Sequence, residues 1–117
     1  MKDFDLEERT LKFAKSIIHL CKSLPSNTIN EQIIKQLIRS SGSIGANYRE
    51  ANDSLGQKDF IFRFKISRKE IKETHYWLEL LSEANPDRSK EIDTEIQEAY
   101  ELKRIFAVII YKLENKK

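Results

Sequence analysis

Residues 39 to 56 read R-S-S-G-S-I-G-A-N-Y-R-E-A-N-D-S-L-G, and the way this stretch folds decides the architecture. Its first half is small: Ser40, Ser41, Gly42, Ser43, Gly45 and Ala46. Its second half is polar, with Asn47, Arg49, Glu50, Asn52 and Asp53. Propensity alone makes it a loop. A seam nevertheless runs through it at Ile34, Leu37, Ser41, Ile44, Tyr48, Ala51 and Leu55. Three-four spacing of this kind marks one face of a packed helix. The periodicity therefore predicts a helix, although each internal glycine costs roughly 1 kcal/mol against alanine. Close approach of a neighbouring helix, or of a ligand, would offset that cost.

The flanking chain is helical by the same criterion. Thr28-Ile29-Asn30-Glu31 reads as a capping box that opens this second helix, and Gly56 reads as its C′ residue. Upstream, residues 5–24 form a first helix seamed by Leu6, Thr10, Phe13, Ile17, Leu20 and Leu24, which Pro25 stops. Downstream, a third helix spans about Gln57 to Ser82, with Phe60, Phe64, Ser67, Ile71, Thr74, Leu78 and Leu81 on one face. Asn85-Pro86 reads as an N-cap and N1 proline that start a fourth helix. Ile92, Ile96, Ala99, Leu102, Phe106, Ile109, Ile110 and Leu113 seam it. Four amphipathic helices, short connections and no strand signal predict an all-α fold. The expected form is an antiparallel, up-down-up-down four-helix bundle, one domain over residues 1–117.

Two features exceed what one bundle core uses. Phe62, Ile66, Trp77 and Leu80 make a second apolar stripe on the third helix, and residues 105–111 are apolar nearly all round. Surplus apolar surface points to a further partner, most simply another subunit.

Composition removes several function classes. Charged residues make up 34% and hydrophobic residues 39% of the chain. No apolar run approaches the roughly 18 residues that span a bilayer, so no membrane role is expected. The start, M-K-D-F-D-L-E-E, lacks a signal-peptide core, and the single Cys21 fits a reducing cytoplasm. Neither His19 nor His75 follows a glutamate at the Glu-x-x-His spacing of di-iron bundles, so no metal or other cofactor is expected. Cys21 reads as a small buried hydrophobe, and the serines near Gly42 lack a nucleophile elbow, so no catalytic residue is expected. Gly42-Ser-Ile-Gly45 matches the G-x-x-G of KH domains without their strands, and reads instead as small residues that let helix backbones approach.

Charge placement says more than the net of +2. Lys58, Lys65, Lys69 and Lys72 fall within about 60° on the third helix, with Arg68 flanking them. Residues 58–72 hold six bases against Asp59 and Glu70. The fourth helix instead starts acidic, with Glu91, Asp93, Glu95, Glu98 and Glu101. An up-down bundle puts these clusters at opposite ends. The lysine stripe reads either as a solvated face or as a phosphate-binding surface for RNA or DNA. On the second helix, Arg39, Ser43 and Glu50 share a face, with Asn47 at its edge. That face reads either as solvated ion pairs or as a network at a subunit boundary or a functional surface.

I-R-S-S-G-S-I-G-A-N-Y-R-E-A resembles the pattern of an arginine, a serine-isoleucine pair and Asn-x-x-Glu in small bacterial proteins encoded within intervening sequences of 23S rRNA genes. These are also called S23 ribosomal proteins. The matching residues are Arg39, Ser43, Ile44, Asn47 and Glu50, with Ser67, Glu70 and Glu73 downstream. Where the family often has glycine soon after this motif, this chain has Asn52. The resemblance implies a homopentameric ring of four-helix bundles without known enzymatic activity. A similar fold occurs in the accessory variability determinant of diversity-generating retroelements, which binds nucleic acid. The expected function is thus a non-enzymatic, cytoplasmic, ring-forming bundle that binds RNA or other nucleic acid through the third-helix lysines. The alternative is a protein-interaction scaffold that uses the Arg39–Glu50 face, with no nucleic-acid role.

Overall fold

The computed structural model describes residues 5–115. The first four residues and the last two lysines lie outside them. Four long helices run as α1 (Leu6–Lys22), α2 (Thr28–Asn52), α3 (Gln57–Ala84) and α4 (Ser89–Glu114), with a short 3-10 turn over Pro86–Arg88 before α4. They form a rod of 50 × 21 × 20 Å. No helix among the described residues is long and apolar enough to cross a membrane.

Long-range contacts fix the directions. Thr10, near the start of α1, lies against Gly45, late in α2. Asn30, at the start of α2, meets Asn85, just past the end of α3. Lys65, early in α3, pairs with Glu114, the last residue of α4. Each consecutive pair is antiparallel. The most extensive contact is between α2 and α3, and α1 and α4 touch least.

The stretch that decides the fold is helical, as its period predicts. Leu37, Ser40, Ser41, Ile44, Tyr48 and Ala51 are all buried. They join Phe13, Ile17, Phe64, Ile71, Leu78, Leu102 and Phe106 in one core. Phe64 and Phe106 stack there with centroids 4.4 Å apart and planes 5° off parallel. Polar core residues bond locally or across helices. Ser67 donates to the carbonyl of Ile44 at 2.7 Å, and Thr74 to the hydroxyl of Ser40 at 2.9 Å. These bonds tie α3 to α2 where burial would otherwise leave hydroxyls unpaired.

The two glycines of α2 part company. A Cβ on Gly45 would stand 3.0 Å from the Thr10 hydroxyl, so this glycine does permit close approach of α1. A Cβ on Gly42 would meet nothing within 4 Å.

The helix ends differ from the sequence expectation in four places. The cap of α2 is Asn27, not Thr28: Asn27 is extended, and its side chain accepts from the amide of Asn30 at 2.9 Å. Asparagine is the stronger N-cap, so Thr28 moves inside as the first helical residue. At the other end α2 stops at Asn52, and the Asp53 amide donates back to the Arg49 and Glu50 carbonyls. Asn52-Asp53-Ser54 are side chains that compete with the helix for backbone bonds. Leu55, expected on the seam, is therefore fully exposed. Gly56 is not a left-handed C′ residue but an extended one (φ 177°) that precedes α3, its carbonyl accepting from Phe60. Asn85 makes no capping bond to α4 and turns its side chain into the core end to meet Asn30. The first helix is also shorter than residues 5–24, with Ser23 as C-cap, yet Leu24 stays buried.

Candidate nucleic-acid interface

The α3–α4 face follows from helix geometry. On α3, residues turned toward α2 include Ser67, Glu70 and Thr74; on the other flank lies Lys65, which pairs with Glu114 of α4. At about 100° per residue, Lys58, Lys65, Lys69, Lys72 and Tyr76 occupy one arc of about 60° on that α4-side flank. On α4, Glu95 and Glu98 turn to α1, where Ser16 donates to Glu95 and Arg9 meets Glu98 at 2.8 Å. Tyr100, Arg104 and Tyr111 occupy the opposite, α3-side flank within about 40°.

The five expected phosphate-binding residues are not equivalent in the structure. Lys58, Lys69 and Lys72 are exposed, Arg68 is half-buried, and none of the four forms an ion pair with a described residue. Lys65 pairs with Glu114, so its charge is partly spent inside the subunit. Sequence reading missed the continuation onto α4. Lys103 and Arg104 sit beside the stripe, and Lys103 lies 5.8 Å from the Tyr100 ring centroid. Arg104 reaches Glu101 at 3.6 Å, on an exposed site where such a bridge holds weakly. The signal was present as Lys103-Arg104 following the acidic run, and the acid count of early α4 masked it. Only the fold turns Glu95 and Glu98 away and leaves the two bases on the α3 side.

The α1–α4 flank is concave. A cleft of about 720 Å³ opens where these helices diverge, lined by Arg9, Lys12, Phe13, Ser16, Glu95 and Glu98 among others. Within it Arg9 pairs with Glu98, and Ser16 donates to Glu95. Burial pushes the Glu95 carboxyl up, the Ser16 hydrogen bond pulls it back, and nearby Glu98 adds to the rise. Among the described residues no group of three or more His, Cys, Asp or Glu is placed to hold a metal ion. Cys21 is buried, and burial first, then Glu95, pushes its thiol up to about 11.

The model of the 23S rRNA-intervening sequence protein family matches residues 2–108. The chain belongs to that family. Among solved structures, the chain is similar to a protein of unknown function from the S23 ribosomal protein family of Bacteroides thetaiotaomicron. The two share 36% identity over 89% of this chain and 96% of the other, with a TM-score of 0.77. No curated protein matches.

The residues that carry the family pattern come together on the α2–α3 seam. Arg39 lies 3.7 Å from Glu70 and 3.6 Å from Glu73. Glu50 lies 3.6 Å from Arg63, which also holds Asp59 at 3.2 Å. Between them the Ser43 hydroxyl donates to the Arg39 carbonyl and the Asn47 amide to the Ser43 carbonyl. Arg39, Ser43, Asn47 and Glu50 thus make a strip whose charged ends clasp α3. Asn52, where the family often has glycine, donates to Glu7 of α1 at 2.9 Å. The second apolar stripe lies alongside this strip. Phe62 is 61% exposed, while Ile66, Trp77 and Leu80 are half-buried. The Trp77 Nε1 is buried and has no acceptor within hydrogen-bond reach.

Proposed function

We propose that this protein is a non-enzymatic, ring-forming bundle that binds the phosphate backbone of nucleic acid on its α3–α4 face. The observation that carries the reading is the set of exposed bases Lys58, Lys69 and Lys72, unpaired and on one flank of α3, continued by Lys103 and Arg104 of α4. Glu95 and Glu98 of α4 are turned to the far flank, where Ser16 and Arg9 hold them, while Glu101 and Glu114 stay beside the bases and pair with Arg104 and Lys65. A cluster of unpaired cations attracts polyanions even when net charge is small. The ring rests on surface the subunit leaves uncovered, above all Phe62 beside Ile66 and Leu80. Several such faces on one ring would add by multivalency. A protein-docking role for the Arg39–Glu50 face has less to work with, because Arg39 and Glu50 already meet charges of α3.

Binding of a labelled 20-nucleotide RNA across a salt series tests the reading. Log K should fall steeply and linearly with log salt. Lys58, Lys69 and Lys72 changed together to Glu should abolish binding, with helicity by circular dichroism unchanged. Lys65 is left alone because its partner Glu114 would be stranded. Undiminished binding by the triple variant would overturn the assignment of the face, and no binding at low salt would overturn the nucleic-acid reading.

A further inference from the structure

The bases on the α3–α4 face alternate with tyrosines. Tyr76, Tyr100 and Tyr111 are 56%, 45% and 68% exposed; Tyr100 and Tyr111 share one arc of α4, and Tyr76 falls in the lysine arc of α3 with its ring edge-on to Trp77 at 5.1 Å. The Phe64–Phe106 stack and the Lys65–Glu114 pair place the second half of α4 beside the first half of α3. Tyr111, three residues before Glu114, therefore lies beside the early turns of α3 that carry Lys58 and Lys65, Tyr100 lies about three turns further along, and Tyr76 lies one turn beyond Lys72. Tyr100 and Tyr111 are thus about 16 Å apart along α4. At a stacked spacing of about 3.4 Å, that is on the order of five nucleotides.

Exposed tyrosines cost solvation without adding to the core, and one of them standing alone would mean little. Three set at intervals along a row of cations are the combination that single-stranded nucleic acid requires. Cations track the backbone while ring faces take up bases of any sequence. Lys103 lies over the Tyr100 ring, so that ring sits at a cationic site. A duplex can use the lysines but not the rings, because its bases are already stacked and paired and must be flipped out to reach them.

We infer that the α3–α4 face binds unpaired, single-stranded nucleic acid, with bases stacked on Tyr100 and Tyr111, and on Tyr76 when the strand extends beyond Lys72. This rests on the phosphate-binding reading of the same face and goes beyond it by naming the strand form and the residues that take the bases.

The test compares a labelled 20-nucleotide RNA, the matching DNA strand and the duplex of each, across one salt series. Both single strands should bind at least about tenfold more tightly than their duplexes. Tyr100→Ala with Tyr111→Ala should weaken single-strand binding about tenfold or more and leave the slope against salt unchanged, since no cation is removed. The double Phe variant should bind like the native protein, because the ring face is kept. Duplex binding as tight as single-strand binding, or a double Ala variant that binds normally, would overturn this inference. If in that case the Lys58, Lys69 and Lys72 reversal still abolished binding, the phosphate reading would stand. Absence of binding by every strand and duplex would overturn both.

Discussion

Asn30 and Asn85 hold each other's side chains across the loop end of the bundle. The amide of Asn30 donates to the Asn85 oxygen at 3.0 Å, and the amide of Asn85 returns the bond at 2.9 Å. Both residues are almost fully buried. Their second donors go to the carbonyls of Pro25 and Leu81, so one reciprocal pair fastens the α1–α2 turn to the end of α3. Removing one partner strands buried polar groups, which costs about 1–3 kcal/mol. Asn85→Ala and Asn30→Ala should each lower stability by that amount in urea unfolding. The double variant should lose less than the sum, because the singles break the same bonds. A strictly additive double would show that the pair is not coupled.

Gly42 and Gly45 should answer oppositely to the same change. Alanine at either gains about 1 kcal/mol of helix propensity. At Gly42 the new methyl meets open space, so thermal stability should rise. At Gly45 it would press on the Thr10 hydroxyl, which is anchored to the Leu6 carbonyl at 2.7 Å and has little room to yield. Overpacking of this kind costs about 1–3 kcal/mol. Gly45→Ala should therefore fall below Gly42→Ala by about that margin. Equal stabilities would remove close approach as the reason for Gly45.

These two glycines also show how far the sequence could be read. The seam through Leu37, Ser41, Ile44 and Tyr48 made the stretch a helix, because burial of a periodic face outweighs local propensity. Which glycine meets a neighbour depends on the rotation of α1, and no local pattern encodes that. The same holds for the helix ends. Asn27 against Thr28, and Asn52-Asp53-Ser54 against Gly56, are contests between nearly equal signals that tertiary contacts decide. The lysine stripe on α3 was legible because it lies on one helix. Its continuation at Tyr100, Lys103 and Arg104 was not, because it is assembled from two helices.

Glu95 carries a charge that the fold disfavours. Its pKa is raised, by burial before all else, against the Ser16 bond. A carboxyl raised on folding takes up a proton more readily in the folded state. Stability tied to this group is therefore greatest below the ordinary carboxylate range and is lost as pH rises through the raised value. At neutral pH Glu95→Gln should accordingly melt higher than the native protein. The gap should close as pH falls below about 4, where Glu95 is neutral in both states. Arg9, Lys12, Glu8 and Asp5 share the cleft and are common to both proteins, so the difference between the two melts isolates Glu95. A gap that is absent at pH 7, or unchanged with pH, would contradict the assigned cause.

Cys21 should be chemically quiet in the folded chain. Its thiol is buried and pushed up to about 11, so little thiolate exists near neutrality. A disulfide reagent at pH 8 should label it slowly in buffer and rapidly in denaturant. Fast labelling of the folded protein would mean that α1 opens at this point.

Phe62 is the residue through which a ring can be tested without unfolding the subunit. It belongs to the second apolar stripe, yet it is 61% exposed and so contributes little to its own core. Trp77 of the same stripe packs against that core, and a charge there would confuse folding with assembly. Glutamate at Phe62 should leave helicity and melting within about 0.5 kcal/mol of native, as surface changes do. Buried between copies, the same charge would be unpaired and would cost several kcal/mol at every interface. Sedimentation velocity should then shift from an oligomer to the 13.8 kDa chain. If the oligomer survives Phe62→Glu intact, this stripe is not the contact between subunits. The surplus apolar surface must then be sought on α4, where Val108 and Tyr111 are also left uncovered.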